Sequence, residues 1–334
     1  MSRRTVFAAV KTGLALLLVA YLFRSGKLQA SVIVELFRPS RLPFAVLAGG
    51  LFLSSQAAAA ARLKLLLGMG GIEVAYREVF RLTMIGNFFN NVLPGMVGGD
   101  FVKGVHLTGR ERERKGRSAG IIVLDRLFGL AAILIFATLA TVYLLRRYGP
   151  RLGTVQQPLY WALTLAAAAL LATAAGLLLG KRPAIRALVK GGLSRALGDS
   201  FLYYAAHGLA SAAKSYGVMA RALLFSFATQ LLCLTAVICL GAGLPQALPP
   251  IVDLAAASSV IFLFGLMPLT PGNIGWTEFV AGAGCSALGS QGGAALFLAW
   301  RIVAILCCLP WGLRYLIRSR ISWNLQEPIR ATRP

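Results

Sequence analysis

Two short segments hold most of the residues that could do chemistry: NVLPGMVGGD at 91–100 and LTPGNIGWTEF at 269–279. Both read Pro-Gly-x-x-Gly, followed shortly by an acid and a phenylalanine. Proline removes a backbone donor and glycine admits left-handed geometry, so each segment should break a helix beside a carboxylate. A helix restarting after such a break presents its positive N-terminal end, which attracts anions, phosphate included. In the first segment a helix from about Tyr76 is expected to end near Asn91–Leu93, before Pro94. A short one should then begin near Gly99–Asp100, after the turn glycines Gly95, Gly98 and Gly99, and run through Lys103 to Leu107. Asn87, Asn90 and Asn91 add amide donors at the same level. In the second segment Pro268 and Pro271 break the helix and Gly272 and Gly275 make the turn. Thr277 can cap, and Glu278 falls in the first turn of the next helix. The plain alternative is that Asp100 and Glu278 serve only as helix caps.

Three further ionisable residues stand inside apolar stretches. Asp125 and Arg126 lie roughly 10 Å along one stretch, and Arg301 lies roughly 14 Å along another, at 1.5 Å per helical residue. Each should be paired or face a cavity, because a lipid-facing charge is costly. Adjacent residues point to different faces, so Asp125 and Arg126 need partners on other segments. The expected pairing is Arg126 or Arg301 with Asp100 or Glu278. Such pairs could simply lock the structure, or an arginine fork could meet phosphate oxygens. Gln230 is expected to make an interhelical hydrogen bond.

The elements that must position these residues follow from composition. The 334-residue chain is 57% hydrophobic and only 13% charged, against about 25% charged for an ordinary globular domain. Six apolar runs are long enough to span a bilayer as helices: about Val6–Phe23, Leu42–Ala61, Ala119–Leu145, Leu159–Gly180, Arg221–Leu240 and Gly293–Ile317. The first follows Arg3 and Arg4 and reads as an uncleaved helix. Residues 181–220 read as an interfacial connector. The fold class is therefore an all-α integral membrane protein, residues 1–334 forming one polytopic domain. The net charge of +23 sits at the ends of apolar spans, which points to the membrane surface and not to nucleic acid. All five cysteines lie in apolar segments without metal-type spacing, and there are two histidines; no metal site or cofactor is expected.

The positive-inside rule then sets topology. With a cytoplasmic N-terminus, the connectors bearing Arg62, Lys64, Arg77 and Arg81, then Lys181–Arg195, and the C-terminal arginines all face the cytoplasm. The run GRERERKGR at 109–117 must do so too. The first interrupted segment therefore enters and leaves on the inside. The second, flanked by Gly241–Pro250 and Gly289–Gly292 without a lysine or arginine, enters and leaves on the outside. Arg24, Lys27, Arg38 and Arg41 fit this assignment least well. The expected architecture is six full spans plus two broken re-entrant hairpins in an inverted repeat, with units at about 42–145 and 221–317. Many transporters build a midplane site this way.

The segments NFFNNVLPGMVGGDFVK, LDRL and TPGNIGWTE, with an arginine inside the last span, resemble the flippase-like transmembrane family. That family includes the membrane part of lysylphosphatidylglycerol synthase/flippase and its stand-alone relatives. The resemblance covers nearly the whole chain and implies an inner-membrane protein that binds or moves a phospholipid or polyprenyl-linked glycolipid. Carried over residue by residue, it implies functional positions at Asn91, Pro94, Gly98, Gly99, Asp100, Asp125, Arg126, Pro271, Gly272, Gly275, Glu278 and Arg301. No large soluble aminoacyl-transfer domain is recognisable, so lysyl transfer is not expected. The leading expectation is a lipid translocase with an anionic lipid or lipid-linked glycan as partner. Two alternatives stay open: a membrane-embedded transferase using Asp100 or Glu278 as base, and a non-transporting assembly partner. Oligomeric state also stays open.

Overall fold

The computed structural model describes residues 38–92, 98–108, 112–179, 216–267 and 269–322, together with Arg24 and Glu35. Among them the regular elements are all helical. The expected first span at 6–23, the connector from 180 to 215 and the centre of the first Pro-Gly segment, with Pro94, lie outside the described residues.

Helix α1 spans Leu42–Met69, with Pro43 in its first turn; proline is tolerated there because that N–H has no helical partner. It runs eight residues past its expected end at Ala61, since ARLKLLLGM holds no proline and its one glycine, Gly68, stays helical; the chain turns at Gly70 and Gly71, the latter at φ 69°. Helices α2 (Tyr76–Val92) and α3 (Gly98–Thr108) flank the first break. Helix α4 (Arg112–Tyr148) absorbs most of the charged run at 109–117 into its first turns. A 3-10 turn over Gly149–Val155, with Gly149 and Gly153 at positive φ, leads into α5 (Gln156–Leu179). Helix α6 covers Tyr216–Ala242 and α7 covers Ile251–Phe264. A 3-10 turn at Pro271–Asn273 precedes α8 (Trp276–Ala287), and α9 runs from Gly293 to Ser322.

Four helical stretches among the described residues are long and apolar enough to cross a membrane: Leu42–Met69, Gly120–Ala168, Gly217–Ala242 and Gly293–Ile317. The second runs through α4 into α5, two spans in the sequence reading. The count of six is therefore not reached among these residues.

The lengths fall into a repeated order. Helices α1 to α4 have 28, 17, 11 and 37 residues, and α6 to α9 have 27, 14, 12 and 30. Each set is long, short, short, long. Packing between the sets is reciprocal: α1 packs on α6, the second helix α2 on the other set's fourth helix α9, and the second helix α7 on α4. Helices α1 and α6 run antiparallel. Arg62 meets Ser226, Ser55 meets Thr229, and Phe44 lies against Gly243. The core follows that seam, with Ala48, Ala236, Val237, Leu240 and Leu296 fully buried towards one end and Ala60, Leu63, Leu66, Leu67 and Ala222 towards the other. Small residues let the two backbones approach, which is how helices associate without a hydrophobic drive in lipid.

Candidate functional site

The second Pro-Gly segment is built around its backbone. Gly272, Asn273 and Gly275 have φ values of 57°, 56° and 80°. Glycine takes left-handed geometry freely, and asparagine is among the few other residues that visit it. Such a loop exposes carbonyls that need donors, and Arg301 on α9 supplies them. Its Nη1 donates to the Gly272 carbonyl at 2.5 Å, and Nη2 to the Asn273 carbonyl at 2.9 Å and the Thr277 hydroxyl at 3.2 Å. Its Nε donates to Glu278 Oε1 at 2.6 Å. The other carboxylate oxygen, Oε2, accepts the Gly275 N–H at 2.8 Å, closing the start of α8. Glu278 is 2% exposed. One acid thus caps a helix and fixes the arginine that holds the preceding loop. In this conformation all three guanidinium nitrogens of Arg301 are engaged by the protein.

The first segment uses side-chain amides for the same purpose. Asn90 Oδ1 accepts the Gly99 N–H at 2.9 Å. Asn87 Nδ2 donates to Gln56 Oε1 on α1 at 2.5 Å, and Asn91 Nδ2 to the Asn87 carbonyl at 2.8 Å. Gln56 passes the network on to Ser55, whose hydroxyl also receives Cys233 Sγ of α6 at 3.4 Å. Gly99 packs directly against Gly86. A Cβ at Gly99 would stand 2.0 Å from the Gly86 carbonyl oxygen. At the start of α3, whose N-terminal end is expected to attract an anion, the Gly99 N–H is satisfied by Asn90 in this conformation and α2 fills the space beside it.

The two breaks touch. A Cβ on Gly272 would lie 2.5 Å from the carbonyl oxygen of Asn91. Asn91 at the end of α2 thus abuts the 3-10 turn of the other set of helices. This contact joins Asn91, Gly272, Gly275, Glu278 and Arg301 into one cluster. Asn87 and Gly99 are linked to it through α2. Gly98 and Asp100 lie in the first turn of α3 and Pro271 opens the 3-10 turn; the side chains of Asp100 and Pro271 are outside the described residues.

Asp125 belongs to a separate cluster. Its Oδ1 receives Arg62 Nε at 2.7 Å, and Arg62 Nη1 donates to Ser226 Oγ on α6 at 2.9 Å. Arg62 and Asp125 are each 7% exposed. The guanidinium lies over Gly129, where a Cβ would be 3.4 Å from Nη1. This corrects the placement of Arg62 on a cytoplasmic connector. It sits inside α1 because a buried carboxylate at Asp125 requires a counter-charge at that depth. Lys64 likewise belongs to α1, and Arg77 and Arg81 to α2, leaving a connector of only Gly70–Ala75. Arg126 points to a different face from Asp125 and is exposed. Of the pairings expected, Arg301 with Glu278 is present.

Sequence reasoning missed Arg62, Ser226 and Gln56. A signal for Arg62 was available: Asp125 had no assigned cation, and α1 had no breaker to end it before Arg62. Gln230 is 7% exposed and its amide nitrogen has no protein acceptor, contrary to the interhelical hydrogen bond expected; nothing in the packing explains this. No group of three or more potential metal ligands occurs among the described residues.

The sequence profile of one protein family, described as the lysylphosphatidylglycerol synthase TM region, matches residues 8–312. No curated protein matches the chain.

Proposed function

We propose, from the premise that the chain belongs to the lysylphosphatidylglycerol synthase transmembrane-region family, that it is a lipid translocase acting on a phosphate-bearing headgroup. It is a multi-pass membrane protein; on our reading it lies in the inner membrane with both termini cytoplasmic. The observation that carries the proposal is that two four-helix sets of like order pack reciprocally, α1 running antiparallel to α6, with their breaks meeting at Asn91 and Gly272. An inverted repeat with broken helices at its interface supports alternating exposure of one site to the two leaflets.

In this reading the headgroup enters where the two breaks abut. Arg301 and Arg62 are two cations of the interior, each held by a carboxylate partner that can be exchanged for phosphate. A phosphate displacing Glu278 from Arg301 would also free the Gly275 N–H at the start of α8, adding a backbone donor where the helix dipole favours an anion. Asp100 and the N-terminal end of α3 would act in the same way from the other side. Arg126, on the outward face of α4, would meet the headgroup during entry. The tails would remain in lipid throughout, leaving through a lateral opening between the sets.

The test is reconstitution into vesicles with a fluorescent acyl-labelled phosphatidylglycerol and, in parallel, the matching phosphatidylcholine, scored by albumin extraction. The expected outcome is movement of the anionic probe by the native protein and its loss in Gly272→Ala. That variant adds a Cβ at positive φ against the Asn91 carbonyl. Protein that moves neither probe nor a polyprenyl phosphate probe contradicts the reading. Conversion of the headgroup in the same vesicles would replace it with the transferase.

A further inference from the structure

The end of α4 carries a second candidate site, away from the helix breaks. Asp253, in the first turn of α7, is fully buried. It accepts the Tyr143 hydroxyl on Oδ1 and the Tyr148 hydroxyl on Oδ2, both at 2.9 Å. Arg147 Nε approaches Oδ1 at 3.2 Å, and its guanidinium carbon lies 5.9 Å from the Tyr143 ring centre and 5.7 Å from that of Tyr148. The carboxylate is thus already satisfied by two hydroxyls and by the positive end of α7. Arg147 is anchored and oriented, yet 53% of its side chain remains exposed. Arg146 beside it is exposed, and no acid among the described residues pairs with it. Arg38 and Arg41 reach the same end of the bundle, since α1 and α6 run antiparallel, but both are paired with Glu35.

Next to these arginines is a shallow, open depression of about 390 Å³ on the face of α4, lined by Leu139, Val142, Tyr143, Arg146 and Arg147. The lining residues recur at helical spacing, so they form a stripe roughly 12 Å long along one face of α4 at 1.5 Å per residue. The stripe is apolar at Leu139, which is 66% exposed, and cationic at Arg146 and Arg147. Depth is marked independently. Tyr160 and Trp161, near the start of the neighbouring α5, are 46% and 62% exposed. Exposed tyrosine and tryptophan at the end of a span mark headgroup level. An apolar track leading up to a pair of arginines at that level fits one ligand class.

We propose that this groove binds one anionic phospholipid from the bilayer. The phosphate sits between Arg146 and Arg147, Tyr143 backs the glycerol region, and an acyl chain lies along Val142 and Leu139. Arginine suits this role because its planar fork meets phosphate oxygens with two parallel hydrogen bonds. Asp253 and the two tyrosines act as positioning residues that hold Arg147 ready. The site stands whether or not the protein translocates lipid, since it lies away from the two helix breaks and its lining residues are all on α4.

The test is photo-crosslinking in nanodiscs of mixed phosphatidylglycerol and phosphatidylcholine, with a benzophenone amino acid in place of Leu139. Crosslinked mass is read by mass spectrometry. Crosslinking to phosphatidylglycerol is expected over phosphatidylcholine by about tenfold, the scale of one charge-assisted contact. Arg146→Glu should lose that preference, while Arg146→Lys should retain part of it. Arg146→Glu leaves the Asp253 cluster intact, so its melting temperature should match the native protein and separate lost binding from lost folding. Equal crosslinking to both lipids, or a preference unchanged in Arg146→Glu, overturns the proposal. So does crosslinking to residues 1–37 of the same chain or to a second copy, because the groove would then be filled by protein.

Discussion

At the scale of single residues, Arg62, which is buried, and Arg301, which is nearly so, organise the interior. Arg301 and Arg62 each have a carboxylate and further oxygen partners, the arrangement a buried charge requires to offset its desolvation. Removing one member leaves the other stranded, at a cost of about 3–5 kcal/mol. Arg301→Ala should therefore lower the melting temperature in detergent by many degrees, and Arg62→Ala should do likewise. Replacing both partners at once, Arg62→Met with Asp125→Leu, should be far milder than either single change, because no charge is stranded. A double variant as damaged as Arg62→Ala would mean that the pair contributes more than mutual neutralisation. Part of this was legible in the sequence. Asp125, Glu278 and Arg301 stood out as charges inside apolar runs, and Glu278 was one of the two acids expected to pair with Arg301. Arg62 was hidden because it falls near the end of an apolar run, where positive charge is ordinarily read as a membrane-surface anchor. Only the continuation of α1 to Met69 reveals it as interior.

Among elements, the helix breaks differ in how they are held, although their sequences match. The second is a left-handed turn stapled by a guanidinium. The first brings α2 and α3 together through the close approach of Gly86 and Gly99, with Asn90 capping. Gly99→Val should fail to fold normally, since no rotamer moves its Cβ away from the Gly86 carbonyl. Gly104→Ala on the same helix, where a Cβ would meet only Ile122 at 3.9 Å, should elute and melt like the native protein. Equal behaviour of the two variants on size exclusion would show that the α2–α3 contact is dispensable. The limits of α2 and α3 were readable from Pro94 and the glycines around it, because breakers act locally. What Gly99 touches was not readable. A glycine that admits a ligand and a glycine that admits a helix look the same in sequence, and only the position of Gly86 distinguishes them.

For the whole molecule, the central idea is that two like sets of helices face opposite ways across the bilayer and move against each other. The connector between first and second helices offers a direct check of orientation. Ala75 lies in that connector of one set and Ala247 in that of the other, and both are exposed. With the native cysteines replaced, Ala75→Cys should react with an impermeant maleimide from one side of the membrane and Ala247→Cys from the other. Reaction of both from one side would remove the inverted repeat. In the sequence this expectation rests on the absence of lysine and arginine around Gly241–Pro250, a signal carried by composition because the membrane sorts charge regardless of packing. The pairing of α2 with α9 and of α4 with α7 was invisible, since helix neighbours in lipid are chosen by shape and not by hydrophobic pattern.

The most direct measurement links that architecture to transport. Phe88 on α2 lies against Gly312 on α9, so a cysteine at each position stands within disulfide reach across the two sets. In a background without native cysteines, the Phe88→Cys, Gly312→Cys protein is reconstituted and assayed for movement of labelled phosphatidylglycerol by albumin extraction, before and after oxidation. The account predicts that oxidation stops movement and that a thiol reductant restores it to the level of the unoxidised protein. Movement that continues at the same rate with the crosslink fully formed would contradict it, because lipid would then be crossing without the two sets separating.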